Sequence, residues 1–545
     1  MNQNLLQKIF QSSLDFLNLR KETGRTSEIQ IMRDRIDRCL GDMATTIKTP
    51  FKGPILVDAM WDNPNYWLCY TFLRIALGLA NTQEVGLLGD FRQEECTSTL
   101  SHFGFEEIIK FRDFFSEQDL AHRQAQQFLQ NTQTPNDILN WQLPDLIPAY
   151  DVYDYLLKRQ RNAIVDLQDI HLESYITEYF RAIQAARVIL DRVQPKLVVM
   201  SHASSGATPF GPLMWMAISR NILVLVPRSD YGLLRFWKFY DAEDVYARYQ
   251  HLTGELLESL PENKADILAR VGRDYLTRRL TGKTTDPASV YAFQRASTSI
   301  ERENLIKTLN WNLETPIIAV YASTWFDNPH VNNMKHFRDF VDWLTATVLV
   351  AKENDRVNWL FKPHPRDDYY GNITLKDMMP AVHADNIHLV PKEWNGKAVM
   401  NCVDALVTYH GTAGIEYAAA GKPVLVADRG WYHDCGFVKL PRSREEYLQI
   451  LKTSWWQEFD LQTIARRAQI FAGWNFGKPL WQGNFQLSAD SEQDKIYPTI
   501  PNLLSANQDA FEKEISTIYQ WYYSNSRLYH TFKMEQANDY QSVNF

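Results

Sequence analysis

Two short motifs in the second half of the sequence combine residue types that suit an anionic ligand. The first is Lys362-Pro363-His364-Pro365-Arg366, in which two prolines fix the backbone and hold one imidazole between two cations. Such a set matches a phosphate or a carboxylate. The second is His410-Gly411-Thr412-Ala413-Gly414, in which the first glycine lets the backbone approach a ligand and the threonine is a typical helix N-cap. Because a helix start carries about half a positive charge, this turn predicts a phosphate site.

Each motif also has a purely structural explanation when taken alone, as a proline-rich strand exit or an ordinary capped crossover. The surrounding elements favour the ligand site. Residues 358–361 form an apolar strand directly before the first motif, and apolar runs at 405–407 and 424–427 flank the second. A small-residue helix at 415–420 completes a parallel βαβ crossover. Because the carboxyl ends of parallel strands meet at one edge of a sheet, we expect both motifs to face the same ligand.

Apolar strands alternate with helices twice along the chain, and this alternation predicts parallel sheets covered on both faces. The predicted strands lie at residues 55–57, 85–88, 105–111, 196–200 and 222–226, and again at 317–321, 358–361, 387–390, 405–407 and 424–427. We therefore predict an α/β protein with two Rossmann-like domains in tandem, a GT-B architecture. The predicted limits are N-terminal helices at 1–50, a first domain with helical insertions at 51–312, a second domain at 313–500 and C-terminal helices at 501–545.

Composition excludes several classes of protein. The 545 residues carry a net charge of −8 and no long basic run, so no nucleic-acid partner is expected. The five cysteines are widely spaced without a CxxC pair, which argues against a zinc site or a disulfide framework. No apolar run approaches the roughly 18 residues that span a bilayer. We expect a cytoplasmic protein, with peripheral attachment to the inner membrane as the alternative.

The order of the motifs resembles the bacterial capsule polysaccharide biosynthesis proteins. A strand leads into Lys-Pro-His-Pro, followed after about 45 residues by Thr-x-His-Gly-Thr-Ala-Gly-x-Glu and then by Gly-Lys-Pro-Val. Within that group the chain is most similar to the retaining β-Kdo transferases, which are GT-B enzymes that use CMP-Kdo. The resemblance is strong over residues 316–450 and weaker over 54–240.

The resemblance implies that the second domain grips the cytidine monophosphate of the donor. The residues carried over are Lys362, His364, Arg366, His410, Gly411, Thr412, Ala413 and Glu416, and His364 is also a candidate catalytic residue. Glu416 has two interpretations: it accepts hydrogen bonds from nucleotide hydroxyls, or it compensates the helix dipole. The resemblance also implies a glycan or glycolipid acceptor, and neither a metal nor a further cofactor, because amides and cations manage the leaving phosphate.

Retention at an anomeric carbon usually needs a nucleophile on the face opposite the leaving group. The resemblance places an aspartate after the first strand of the second domain, and Asp327 in the segment 323–330 matches that position. Asn328, beside it, is a candidate substrate-binding residue. The alternative is that Asp327 caps a turn before a helix predicted at 332–349.

Two candidates lie in the first domain, at predicted strand ends that face the cleft. His202 is interpreted either as the general base for the acceptor hydroxyl or as a hydrogen-bonded interior histidine. Arg235 is interpreted either as the partner of the Kdo carboxylate or as the partner of a structural acid.

Three functions remain open from the sequence. The first is a CMP-Kdo-dependent glycosyltransferase of surface polysaccharide synthesis. The second is a phosphotransferase of the CDP-glycerol type, which would not need an Asp327 nucleophile. The third is a non-catalytic partner in capsule assembly. Both complete motifs, at 362–366 and 410–416, argue against the third.

Overall fold

The computed structural model describes residues 51–59, 64–90, 92–116, 120–202, 211–228, 234–247, 252–283, 293, 298–364, 374–378, 384–391, 393–477 and 508–530. The helices predicted at 1–50 lie outside these residues. Arg366 also lies outside them, so its predicted role stays a prediction.

The first half of the described chain alternates strands and helices. Its elements are β1 (Ile55–Ala59), α1 (Pro64–Leu77), β2 (Glu84–Leu88), α2 (Gln93–His102), β3 (Glu107–Lys110), α3 (Leu120–Gln130), α4 (Pro135–Ile138), α5 (Ala149–Gln160), α6 (Leu172–Val193), β4 (Leu197–Val199), α7 (Gly211–Ser219), β5 (Leu223–Arg228), β6 (Arg235–Phe239) and α8 (Ala242–Ala247). The first five strands pair in parallel in the order β3-β2-β1-β4-β5, and β6 pairs antiparallel to β5. Every residue of β1 is buried, as expected for a strand with both faces covered.

The second half repeats this alternation. Its elements are α9 (Gly254–Ser259), α10 (Glu262–Leu280), α11 (Arg302–Thr308), β7 (Ile317–Tyr321), α12 (Phe340–Glu353), β8 (Asn358–Lys362), α13 (Leu375–Met378), β9 (Ile387–Leu389), α14 (Gly396–Cys402), β10 (Ala405–Thr408), α15 (Ala413–Ala419), β11 (Val424–Val426), α16 (Arg444–Ile450), α17 (Leu461–Phe476), α18 (Gln508–Tyr523) and β12 (Leu528–His530). β7 to β11 pair in parallel in the order β9-β8-β7-β10-β11.

The parallel strands of both sheets follow one order, which is third, second, first, fourth, fifth along the chain. The predicted fold class, an α/β protein with two Rossmann-like sheets, is therefore confirmed. In such a sheet successive strands are added first on one side of the first strand and then on the other. Ligands bind beyond the carboxyl ends of the strands at the point where this order reverses. This point lies between β1 and β4 in the first sheet and between β7 and β10 in the second.

Helices α9 to α11 belong to the apolar core of the second sheet, which extends back to Leu252. The close contact of α10 with α17 depends on glycine. A Cβ atom at Gly272 would lie 1.9 Å from the carbonyl oxygen of Gln469, and one at Gly473 would lie 2.0 Å from that of Leu268. Any side chain there would push the two helices apart. The domain limits placed at 312 and 313 stay a prediction.

The C-terminal segment returns to the first sheet. β12 pairs antiparallel with β6, and apolar residues of α18 join the core beneath α1. Lys238 on β6 is fully buried, and its Nζ donates to the carbonyl oxygens of Trp521 at 2.8 Å, Tyr522 at 2.9 Å and Ser524 at 2.7 Å. One ammonium thus binds carbonyls of the last turn of α18 and of the residue that follows it, where a helix leaves carbonyls without an intrahelical partner.

Candidate active site

The two motifs singled out in the sequence lie at the same edge of the second sheet. Tyr321, the last residue of β7, is in register with Lys362 of β8 on one side and with Thr408 of β10 on the other. The first motif continues from Lys362, and the second begins two residues after Thr408. The structure therefore brings Lys362 and the His410 turn to either side of the loop that leaves β7.

Lys362 is a buried cation. It is 6% exposed, and its Nζ lies 5.8 Å from the centre of the Tyr321 ring, whose hydroxyl accepts a 2.7 Å hydrogen bond from Tyr417. Burial lowers the pKa of Lys362 to about 8, and no carboxylate among the described residues offsets that effect. Because a buried charge without a counter-charge is costly, this position favours an anionic ligand.

His410 complements Lys362 as a neutral group. Burial lowers the pKa of its imidazole to about 4, with Asp428 opposing the shift, so the ring is uncharged at neutral pH. Its Nε2 is buried and has no hydrogen-bond partner among the described residues. The backbone is held by Trp431, whose Nε1 donates to the His410 carbonyl at 3.1 Å. A neutral imidazole can donate one hydrogen bond to a ligand without adding charge.

The turn after His410 is shaped by Tyr432. The Tyr432 hydroxyl donates to the Gly411 carbonyl at 2.6 Å, and a Cβ atom at Gly414 would lie 2.3 Å from the same hydroxyl. Helix α15 then starts at Ala413 with Thr412 at the N-cap position, but the Thr412 side chain makes no capping bond. The capping interaction expected for Thr412 is therefore wrong. The Gly414 amide is also engaged, since it donates to the Gly411 carbonyl at 2.9 Å.

Glu416 forms a buried ion pair that the sequence did not indicate. Its Oε1 accepts a 2.5 Å hydrogen bond from Nε of Arg279 on α10, and both side chains are almost fully buried. Glu416 thus ties the turn to α10. A contact with nucleotide hydroxyls stays a prediction. His364 lies two residues beyond β8 and is partly buried.

Asp327 lies on the loop that leaves β7. Its side chain is 46% exposed, and its Oδ1 lies 3.7 Å from Nζ of Lys158 on α5. Its carbonyl accepts a 3.2 Å hydrogen bond from Asn332. The helix predicted at 332–349 instead begins at Phe340, where Asp339 supplies the cap. The predicted start of that helix is therefore wrong, because residues 329–333 form turns, and the two interpretations of Asp327 as nucleophile or turn residue stay predictions.

Asn328 has a strained backbone and a buried amide. Its φ of 52° lies in the left-handed region, and its Oδ1 has no hydrogen-bond partner among the described residues. Asparagine tolerates this conformation better than most residues, and such strain is common in functional loops. The structure therefore holds Asn328 beside Asp327 in a fixed conformation.

The same loop contains a histidine–carboxylate pair that sequence reasoning missed. His330 Nδ1 donates to Asp154 Oδ1 at 2.6 Å, and the backbone amides of His330 and Val331 donate to Asp154 Oδ2 at 3.1 and 3.3 Å. Asp154 lies on α5 and is 1% exposed, while His330 is 6% exposed. The available signal was a pair of acids, Asp151 and Asp154, at helical spacing among apolar residues.

His202 follows β4, at the point where the strand order of the first sheet reverses. Its Nδ1 lies 3.0 Å from Oγ of Ser201, which donates to Oδ2 of Asp58 at 2.7 Å. Asp58 lies near the carboxyl end of β1, and Ser201 lies two residues beyond the neighbouring strand β4. The chain of contacts gives His202 a defined orientation.

Arg235 is buried within β6 and donates from Nη2 to the carbonyl of Asn475 near the end of α17. This contact joins the first sheet to a helix that packs with the second. Binding of a substrate carboxylate by Arg235 stays a prediction.

No protein-family model and no curated protein sequence matches this chain. Solved structures that are similar to it include the UDP-GlcNAc 2-epimerase from Neisseria meningitidis bound to UDP-GlcNAc, at 14% identity, covering 84% of this chain and 100% of that one with a TM-score of 0.23. Thermosulfurimonas dismutans KpsC, a β-Kdo 2,4 transferase, has 14% identity, coverage of 51% and 79%, and a TM-score of 0.34. Anabaena HepE in complex with UDP and glucose has 12% identity, coverage of 83% and 100%, and a TM-score of 0.25. Values this low transfer neither a residue role nor an activity, and the resemblance to capsule proteins stays a prediction.

Proposed function

We propose that this protein is a glycosyltransferase that holds the phosphate of a nucleotide-sugar donor at the carboxyl edge of its second sheet. The observation that carries the proposal is Lys362, a buried ammonium without a described carboxylate partner at the edge where α/β sheets bind ligands. A donor phosphate would supply the missing negative charge through a charge-assisted hydrogen bond. Neutral His410, on the other side of β7, would donate a further hydrogen bond.

The donor proposed is CMP-Kdo, since the motifs at 362–366 and 408–416 resemble those of retaining β-Kdo transferases. In the first displacement an oxygen of Asp327 forms a bond to the anomeric carbon, and the bond from that carbon to the phosphate oxygen breaks. The electron pair leaves with CMP, which needs no proton because its phosphate is already charged. The exposed carboxylate of Asp327, on the loop between the two motifs, suits this role.

In the second displacement the acceptor hydroxyl attacks the same carbon, and the bond to Asp327 breaks. The acceptor loses its proton, and His202 is the proposed base. The support for His202 is its position at the reversal point of the first sheet and its contact with Ser201, which in turn donates to Asp58. Histidine is the side chain that most often acts as a general base near neutral pH.

The proposed acceptor is a growing surface glycan or glycolipid. Within the described residues, no helix combines the length and the apolarity needed to cross a bilayer. We propose a cytoplasmic location with peripheral attachment at the inner membrane. Such attachment would be reversed by salt, since screening weakens contacts between exposed charges.

The donor site is tested by measuring the melting temperature with CMP, UMP, CDP-glycerol and inorganic phosphate. A nucleotide that binds the native state raises its stability by mass action. We expect CMP to stabilise the wild type and to have little effect on Lys362→Met. Lys397→Met, which removes an exposed cation from α14, is the charge-matched control and should behave like the wild type. Equal stabilisation of Lys362→Met and the wild type by CMP would show that the site is misplaced. A larger rise in melting temperature with CDP-glycerol than with CMP would favour the phosphotransferase.

A further inference from the structure

Helix α5, in the first half of the chain, contacts the loop that contains Asp327. Asp154 accepts three hydrogen bonds from His330 and Val331, as described above. One residue earlier, the Tyr153 hydroxyl donates to Oδ2 of Asp339, at the end of the loop, at 2.8 Å. Because Asp154 and Asp339 are almost fully buried, these contacts fix the loop against the helix.

Lys158 lies one helical turn after Asp154 and therefore on the same face of α5. Its Nζ is 3.7 Å from Oδ1 of Asp327 and 5.7 Å from the centre of the Phe326 ring. Unlike the Asp154 contact, this pair is open to solvent, since the side chains of Lys158 and Asp327 are 34% and 46% exposed. A ligand can therefore reach both groups at once.

We propose that Lys158 determines which sugar the transferase accepts, by binding a carboxylate that the sugar carries on its anomeric carbon. This inference rests on the proposed function, with Asp327 as the nucleophile. Lys158 lies on α5, in the first half of the chain, and would act in the first displacement, in which the donor sugar is transferred to Asp327.

The charge balance of the first displacement gives the reason. In the resting protein the ammonium of Lys158 faces the negative charge of Asp327. When Asp327 becomes an ester it loses that charge, and the attraction between Asp327 and Lys158 is lost with it. A carboxylate on the anomeric carbon then lies two bonds from the new ester oxygen, where it replaces the lost charge. A neutral sugar offers no such replacement, so its ester and the transition state leading to it are less stabilised.

Arg159 provides a matched control on the same helix. It is the next residue along α5, and its Nη2 pairs with Oε2 of Glu178 at 2.6 Å. Arg159→Met therefore removes one positive charge from α5 without touching the Asp327 loop. Lys158→Arg keeps the charge with a different geometry.

The test incubates each purified protein with donor alone and follows the mass of the protein over time. The two donors are CMP-Kdo and its carboxamide analogue, in which the acid is neutral. We expect the wild type and Arg159→Met to form the sugar adduct about tenfold faster from the acid than from the amide. Lys158→Met should react about tenfold more slowly with the acid and should lose this preference, whereas Lys158→Arg should keep part of it.

The ratio of the two rates separates a specificity role from a structural one, because a misfolded or loosened loop would slow both donors alike. The inference would be overturned if Lys158→Met formed the adduct at the wild-type rate, or if it kept the wild-type preference for the acid donor over the amide. Either result would leave the proposed function standing. A wild type that forms no adduct, together with an active Asp327→Asn variant, would instead overturn the proposed nucleophile, and the inference would fall with it.

Discussion

The imidazole of His330 donates from Nδ1 to the carboxylate of Asp154 at 2.6 Å, although the two residues are 176 positions apart. Asp154 belongs to helix α5 beside the first sheet, and His330 belongs to the loop that leaves the first strand of the second. The contact fixes the tautomer of His330, with its proton on Nδ1. It also holds the loop that contains Asp327 in place.

Removing both partners of this pair should cost less than the sum of the two single removals. Asp154→Asn weakens the hydrogen bonds from His330 and Val331, and we expect it to lower the free energy of unfolding by about 2 kcal/mol. His330→Asn should cost a similar amount because it leaves the buried carboxylate without its imidazole. A double-mutant cycle by urea denaturation should give a coupling energy of about 1–3 kcal/mol. Additive losses would contradict a direct contact.

Nucleotide affinity should weaken as the pH rises through about 8. In the ligand-free protein the pKa of Lys362 is lowered to about 8, so the ammonium that binds the phosphate is lost above that pH. Titration calorimetry with CMP between pH 7 and pH 9.5 measures this, with buffers matched for ionic strength. Lys362→Arg keeps its charge over the whole range and should flatten the dependence. A wild type whose affinity stays constant to pH 9.5 would argue against Lys362 as the phosphate ligand.

His410 should make the protein sensitive to acid. The pKa of His410 is lowered to about 4 in the folded protein, whereas an unfolded chain has the ordinary value of about 6.5. Between these values the unfolded state binds more protons, so stability falls as the pH drops from about 6.5 to about 4. His410→Gln should reduce the slope of unfolding free energy against pH in that window. An unchanged slope would show that the imidazole is not held neutral.

The attachment of the C-terminal segment should depend on Lys238. Lys238→Met removes the ammonium that donates to the carbonyls of Trp521, Tyr522 and Ser524, and we expect the free energy of unfolding to fall by about 3 kcal/mol. Hydrogen exchange should then rise in α18 and β12 before it rises in β7. Arg527→Met removes a nearby exposed cation that pairs with Asp244 and serves as the control. Wild-type protection of α18 in Lys238→Met would contradict this account.

The central parallel strands of both sheets were predictable, because a strand buried on both faces, such as β10, is a continuous apolar run. The run at Ile317–Tyr321 was predicted with the observed limits. β6 and β12 were not predicted, since Arg235 and Lys238 interrupt β6 and β12 has three residues. Their antiparallel pairing is a long-range contact without a local signature.

The chemistry of the candidate site was only partly predictable. Local motifs indicated Lys362 and the His410 turn, because prolines, glycine and strand ends act over a few residues. The partners of Glu416 and His330 were not visible, since Arg279 and Asp154 lie 137 and 176 positions away. The late start of α12 at Phe340 was also not predictable. Asn328 and Asn333 adopt positive φ values, which interrupt a helix but leave no sign in the pattern of apolar residues.

The most direct test of the account is the covalent step at Asp327. Wild-type protein incubated with CMP-Kdo alone should gain the mass of one sugar, and peptide mapping should place it on the peptide that contains Asp327. Asp327→Asn should fold and bind CMP like the wild type, gain no mass and lose transfer. Asp355→Asn, which alters an exposed carboxylate of the same half of the chain, should keep both activities. Transfer by Asp327→Asn at a rate near that of the wild type would contradict the account.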